Sequence, residues 1–245
     1  MSGASRRNVL AGLAALAATP AFARFPTTTP PGLVFFVGNS FTRQHDIPAL
    51  VCRIAEQRGF AAKCHRHTAN GAWLIDSIDF ANSLAAERGE RLPASVVLQD
   101  HSIAPLSAEG RAKSARAMAA YAAQFDRTVL FETWPRRDGH PLYRRSGMPS
   151  GPADMTEMVH AHYRAQAEIL DAAHAPVGLA WQEAGRRGID LHARDGYHAN
   201  LRGAWTAALL LAQALGVPEP FSAAAPDVLP RDEADLVAEI AASVA

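Results

Sequence analysis

Three side chains, one near the start of the chain and two near its end, have the types and spacing of an activated nucleophile. Ser40 directly follows Gly38-Asn39, at the end of the apolar run Leu33-Val34-Phe35-Phe36-Val37. A serine hydroxyl attacks poorly until a base takes its proton, and that base needs a third group to orient it. Asp195-Gly196-Tyr197-His198 offers both. An i, i+3 spacing across a glycine-containing turn lets one carboxylate reach Nδ1 of the imidazole and leaves Nε2 to face Ser40. Asp190 and His192 form a local competitor with a shorter spacing. The Gly-x-Ser-x-Gly elbow of α/β-hydrolases is absent, because Thr42 stands where its second glycine would be. Ser102 is the next candidate nucleophile.

The elements around these residues read as strands alternating with helices. Residues 33–37 form a run apolar on both faces, as in a strand of a parallel sheet. Apolar residues at helical spacing follow from Ile47 to Arg58, with Gly59 as the stop. Further strands are expected over 61–67, 94–98, 127–133 and, briefly, 176–180. Helices are expected over 76–88, 107–125, 154–173, 200–215 and 231–244. The segment 134–152, punctuated by Pro and Gly, has no regular period, and long loops in compact domains are often functional. This order predicts a doubly wound parallel sheet with right-handed crossovers and function at the carboxyl ends of its strands. Gly38 and Asn39 are expected to serve the tight turn that exposes Ser40 there.

Four blocks then resemble the SGNH hydrolases, also called GDSL-type. They are Val37-Gly38-Asn39-Ser40-Phe41-Thr42, Asn70-Gly71-Ala72-Trp73-Leu74, Val97-Leu98-Gln99-Asp100-His101-Ser102 and Asp195-Gly196-Tyr197-His198. The resemblance implies a three-layer α/β/α sandwich with a flavodoxin-like sheet over residues 32–245. It also implies Ser40 as nucleophile, His198 as general base and Asp195 as its orienter. An oxyanion hole would come from the backbone N–H groups of Ser40 and Gly71 and a side-chain amide. The chain departs from the family in reading Gly-Asn-Ser for Gly-Asp-Ser and in lacking Gly-x-Asn-Asp after the third strand. Gln99 offers an amide there on a longer side chain, and satisfying neighbouring backbone is its other role.

Other residues at the same sheet edge invite a substrate. Trp134 is suited to stack on a sugar ring or to wall an acyl pocket. Arg136 and Arg137 are suited to an anionic group, with a solvated loop as the plainer reading. Trp73, Trp181 and Trp205 read as core or rim packing, and His160 and His162 as surface or half-buried positions on a long helix. Cys64, His65 and His67 do not make a zinc site, because strand alternation puts Cys64 and His65 on opposite faces. No metal or organic cofactor is expected.

Composition sets the limits. With 49% hydrophobic and 20% charged residues, 245 positions suffice for one self-sufficient α/β domain. Lys+Arg 24 balances Asp+Glu 24, so no electrostatic footprint for nucleic acid exists. Arg6-Arg7 before the apolar run 9–18, then Ala21-Phe22-Ala23, is the layout of a signal peptide over residues 1–23 and resembles a twin-arginine export signal. An ordinary secretory signal is the alternative, and the run is too short for a stable membrane span. Residues 24–31 read as a Pro/Thr-rich lead-in. Cys52 and Cys64 fall on a predicted helix and the next strand, where export permits a disulfide but two buried free thiols are the expected state. The sequence thus predicts an exported esterase acting on a small-molecule or glycan ester, with O-acetyl groups on polysaccharide foremost. Lipid ester or thioester hydrolysis is the alternative reaction. A carbohydrate-binding protein that has lost activity is the alternative class.

Overall fold

A computed structural model describes residues 32–80, 82–83 and 92–245. The expected signal peptide 1–23, the lead-in 24–31 and part of the expected helix 76–88 lie outside the described residues.

Five parallel strands form one sheet in the order β2-β1-β3-β4-β5, with β1 Leu33–Gly38, β2 Lys63–Thr68, β3 Leu92–Leu98, β4 Phe125–Phe131 and β5 Ala173–Ala175. This is the flavodoxin-like order, whose switch point falls between β1 and β3. Strand alternation divides the core in two. Val34, Phe36, Val97, Val129 and Phe131 point into one layer, while Val37, Val96, Leu98 and Leu130 point into the other. The first layer is covered by α2 (Ile47–Gln57), α5 (Val177–Arg186), α6 (Leu201–Ala214) and α7 (Arg231–Val244). The second is covered by α3 (Ala108–Ala122) and α4 (Pro152–Leu170), and the short α1 is Ser40–Arg43. The three-layer α/β/α sandwich is therefore present.

Two expectations are corrected. Residues 176–180 are not a strand: β5 ends at Ala175, and α5 begins after Pro176. Val177, Ala180, Trp181 and Ala184 recur at i, i+3, i+4 and i+7 and are all buried, which is a helix face. Cys52 and Cys64 are not free thiols but a disulfide joining α2 to the edge strand β2. Only 12 residues separate them, so the short connection folds the helix back over its own strand and brings the Cα atoms to 6.2 Å.

Candidate active site

β1 delivers its carboxyl end to the switch point, and α1 starts at once. Asn39 caps that helix: its Oδ1 accepts the Phe41 N–H at 3.1 Å. Its Nδ2 donates to the Ala72 carbonyl at 3.0 Å, and its own N–H donates to Gln99 Oε1 at 3.0 Å. Asn39 is thus buried and fully used, with φ −133° rather than the left-handed angles of a tight turn. Gly38 is likewise explained by approach and not by φ. A Cβ there would stand 2.6 Å from both Gln99 Oε1 and Thr42 Oγ1.

The second half of the site is the turn before α6. Gly196, at φ +74°, lets the chain reverse so that Asp195 Oδ1 accepts the N–H groups of Tyr197 and His198, each at 3.0 Å. Asp195 Oδ2 lies 2.7 Å from His198 Nδ1, and His198 Nε2 lies 2.8 Å from Ser40 Oγ. The three residues form one unbroken hydrogen-bonded chain. Burial pushes the Asp195 carboxyl up, but the N–H groups of Tyr197 and His198 and the His198 ring outweigh it and hold it below its ordinary value. Rings of Phe41 and Tyr197 flank the imidazole at 5.4 and 4.0 Å. Asn200 caps α6 by accepting the Gly203 N–H at 2.9 Å, which anchors the turn to a rigid helix.

The competitors are tied elsewhere. His192 spends Nδ1 on Asp190 Oδ1 at 3.0 Å and Nε2 on the Pro135 carbonyl at 2.9 Å, leaving no nitrogen for a hydroxyl. Ser102 is buried and its Oγ accepts from Arg136 Nη2 at 2.7 Å.

The backbone N–H groups of Ser40 and Gly71 make no hydrogen bond among the described residues. Gly71 sits at φ +65° in an exposed turn that Asn39 grips through the Ala72 carbonyl. Asp100 holds the same segment from the other side, its Oδ1 accepting the Leu74 N–H at 2.8 Å. Sequence reasoning missed that role, and only the adjacency of Asp100 to a strand end hinted at it. His101 stacks on Trp73, with centroids 4.9 Å apart, at the rim beyond Asp100.

Three expected substrate or oxyanion residues are corrected. Gln99 is 1% exposed and committed at both ends: Oε1 accepts from Asn39 N and Thr42 Oγ1, and Nε2 donates to the Asp100 carbonyl. Its amide is turned into the backbone and not toward Ser40. Trp134 is fully buried, stacked on Trp181 at 4.2 Å and tilted against Phe41 at 4.7 Å, and its indole N–H goes to the Tyr197 carbonyl at 2.8 Å. No face is left for a sugar. Arg137 fastens the 190–196 turn, through Asp190 at 2.6 Å and the Ala193 carbonyl at 2.9 Å.

Arg136 differs. It is buried between the Phe41 and Tyr197 rings, with its guanidinium carbon 5.3 and 4.7 Å from their centroids. Its Nη1 is buried and has no hydrogen-bond partner among the described residues. Burial lowers its pKa to about 10, which leaves it charged at neutral pH. The same charge, after burial, helps keep His101 and His140 below their ordinary values.

No family model and no curated protein matches the sequence. Solved structures do match. A protein of Slackia heliotrinireducens assigned to the SGNH hydrolases is 26% identical, with a TM-score of 0.61 over 75% of this chain and 98% of that one. A DUF4886 family protein from Bacteroides uniformis is 17% identical, with a TM-score of 0.71 over 86% and 93%. An acetylxylan esterase from Geobacillus stearothermophilus is 11% identical, with a TM-score of 0.54 over 76% and 94%. The sheet order and these likenesses give the chain the SGNH (GDSL-type) hydrolase fold.

Proposed function

We propose that the chain is an exported serine esterase. The observation that carries this reading is the hydrogen-bonded chain from Ser40 Oγ through His198 to Asp195, at 2.8 and 2.7 Å. His198 Nε2 takes the proton of Ser40 as Oγ attacks the ester carbonyl carbon. The uncommitted N–H groups of Ser40 and Gly71 supply the donors that face the developing oxyanion. The C–O bond to the alcohol breaks as His198 returns the proton to the leaving alkoxide. Water, deprotonated by the same imidazole, then cleaves the acyl-enzyme and releases the acid. Asp195 keeps the ring in the tautomer this shuttle needs. Every step is a proton transfer or acyl transfer, and the residues named suffice for both.

Short acyl esters, above all O-acetyl groups on polysaccharide, are the substrate class we favour, in keeping with the acetylxylan esterase among the structural neighbours. Export is supported by the arginine pair ahead of an apolar run and by the Cys52–Cys64 disulfide, a bond suited to an oxidising compartment. Among the described residues no helix is long and apolar enough to cross a membrane. The commitment of the Gln99 amide to backbone favours the rival reading of a carbohydrate-binding protein without activity.

A fluorophosphonate probe separates the two. Wild type is expected to label at Ser40 and to turn over p-nitrophenyl acetate, with both lost in Ser40→Ala. Absence of labelling, under conditions where a control serine hydrolase reacts, would overturn the esterase. A panel of acetylated glycans, longer acyl esters and acyl thioesters then ranks the substrates.

A further inference from the structure

A second cluster of chemistry-bearing side chains lies at the end of β4, built by residues the proposed esterase reaction does not use. Glu132 follows β4 directly and is fully buried. Its Oε2 lies 2.8 Å from His160 Nδ1, on α4, and 2.7 Å from His174 Nε2, on β5. Its Oε1 is buried and makes no hydrogen bond among the described residues. Space beside it is reserved by Gly178, in the first turn of α5, where a Cβ would stand 2.5 Å from Oε1. Burying a carboxylate is costly unless positive charge compensates it, and here its ion-pair partners are two imidazoles.

We propose that Glu132, His160 and His174 bind a divalent transition-metal ion. One donor atom from each residue lies within 4.8 Å of the other two. Around a tetrahedral zinc ion, with bonds of about 2.0–2.1 Å, neighbouring donors stand roughly 3.3 Å apart. The nitrogen-to-oxygen distances need to open by only about half an ångström to admit it. His160 would ligate through Nδ1 and His174 through Nε2, each ring giving up any proton held on that nitrogen. Two imidazoles and one carboxylate suit Zn(II), Co(II) or Ni(II), whereas Mg(II) and Ca(II) prefer all-oxygen sets. The His side chains are 26% and 15% exposed, which gives the ion a way in and leaves a fourth position for water. The ligands come from three elements, and β5 is an edge strand of three residues. The ion's role is to pin β5 and α4 to the end of β4.

The test uses the untagged full-length chain, stripped with EDTA and titrated with Zn(II) and Co(II). Wild type is expected to bind one equivalent saturably, to give the visible bands of tetrahedral Co(II), and to gain roughly 5–10 °C in Tm at a hundredfold excess over Kd. His160→Gln, at a half-buried site where the apo fold should persist, is expected to lose at least tenfold in affinity. Glu132→Gln should do the same, and the exposed His65→Gln on β2 should not. No saturable binding by wild type would overturn the proposal. So would binding left unchanged in both His160→Gln and Glu132→Gln, and so would a loss of apo stability in those variants with no metal effect.

Discussion

Gln99 Oε1 accepts the backbone N–H of Asn39 at 3.0 Å, and that bond gives the third-strand glutamine a task opposite to the expected one. Instead of reaching toward an oxyanion, Gln99 sits behind the nucleophile turn and joins β3 to the start of α1. Thr42 shares the same oxygen at 2.9 Å, and the absent Cβ of Gly38 makes room for it.

Gln99→Met keeps the volume but orphans the Asn39 N–H and the Thr42 hydroxyl. The expected cost is about 1–3 kcal/mol of stability, read in denaturant melts, together with a fall in kcat as the turn loosens. A pure oxyanion donor would behave differently. Its loss would raise the barrier by about 2.7–4 kcal/mol with the melt unchanged.

Asp195→Asn tests the orienter. Asparagine Oδ1 can still accept the Tyr197 and His198 N–H groups, so the turn should hold. Its amide, however, donates to His198 Nδ1 and leaves the proton on Nε2, where it cannot accept one from Ser40. Turnover of p-nitrophenyl acetate is expected to fall on the order of 10³–10⁴-fold, with Tm little changed. A loss under tenfold would remove Asp195 from the mechanism.

How much of this was legible before folding depends on whether the signal was local. Ser40 after an apolar strand, and Asp195 with His198 across a glycine turn, are short-range patterns. Alternating periods pointed to a doubly wound parallel sheet, while its flavodoxin-like order came only from the family resemblance. Trp134 was misread because its burial depends on Trp181 and Phe41, which belong to elements distant in sequence. The 176–180 error came from reading a short apolar run as a strand, when period alone cannot separate the two for so few residues. Glu132, His160 and His174 lie on three elements with no motif spacing, so only the fold reveals their meeting.

The Cys52–Cys64 disulfide closes a short loop between α2 and β2, and none of Ser40, His198 or Asp195 bonds to it. Closure of a loop of this length constrains the unfolded chain by about 3 kcal/mol. Replacing both cysteines with serine is therefore expected to lower Tm by roughly 6–12 °C while leaving kcat of the folded protein intact. Differential scanning fluorimetry beside initial rates would show it, and a large loss of kcat would mean that β2 shapes the site.

His162 governs part of the acid response. It is buried on α4, with Nε2 3.0 Å from Ser114 Oγ, and burial together with the nearby Arg111 charge lowers its pKa to about 4. An unfolded histidine titrates near 6.5, so the folded chain binds fewer protons as pH falls between the two values. Stability should drop across that window, by on the order of 3 kcal/mol once pH is below about 4. His162→Gln can keep a bond to Ser114 and does not titrate. The difference between wild-type and variant stability should therefore change between pH 6.5 and 4 and be flat outside it, measured by denaturant melts at stepped pH.

Arg136 keeps a buried guanidinium nitrogen, Nη1, that has no hydrogen-bond partner among the described residues. Its Nη2 is held by Ser102 at 2.7 Å, and the Phe41 and Tyr197 rings that contact its guanidinium also flank the His198 imidazole. A charge so placed should favour substrates that carry an acceptor, such as a sugar hydroxyl or carboxylate flanking the ester. Arg136→Met fills similar volume between the same rings without the charge or the donors. Its KM for an acetylated glycan is expected to rise about tenfold or more, which corresponds to one lost charge-assisted hydrogen bond. For p-nitrophenyl acetate, which carries no such group, KM should stay within about twofold, and the split between the two substrates is the reading. An equal rise for both would assign Arg136 to shaping the pocket alone.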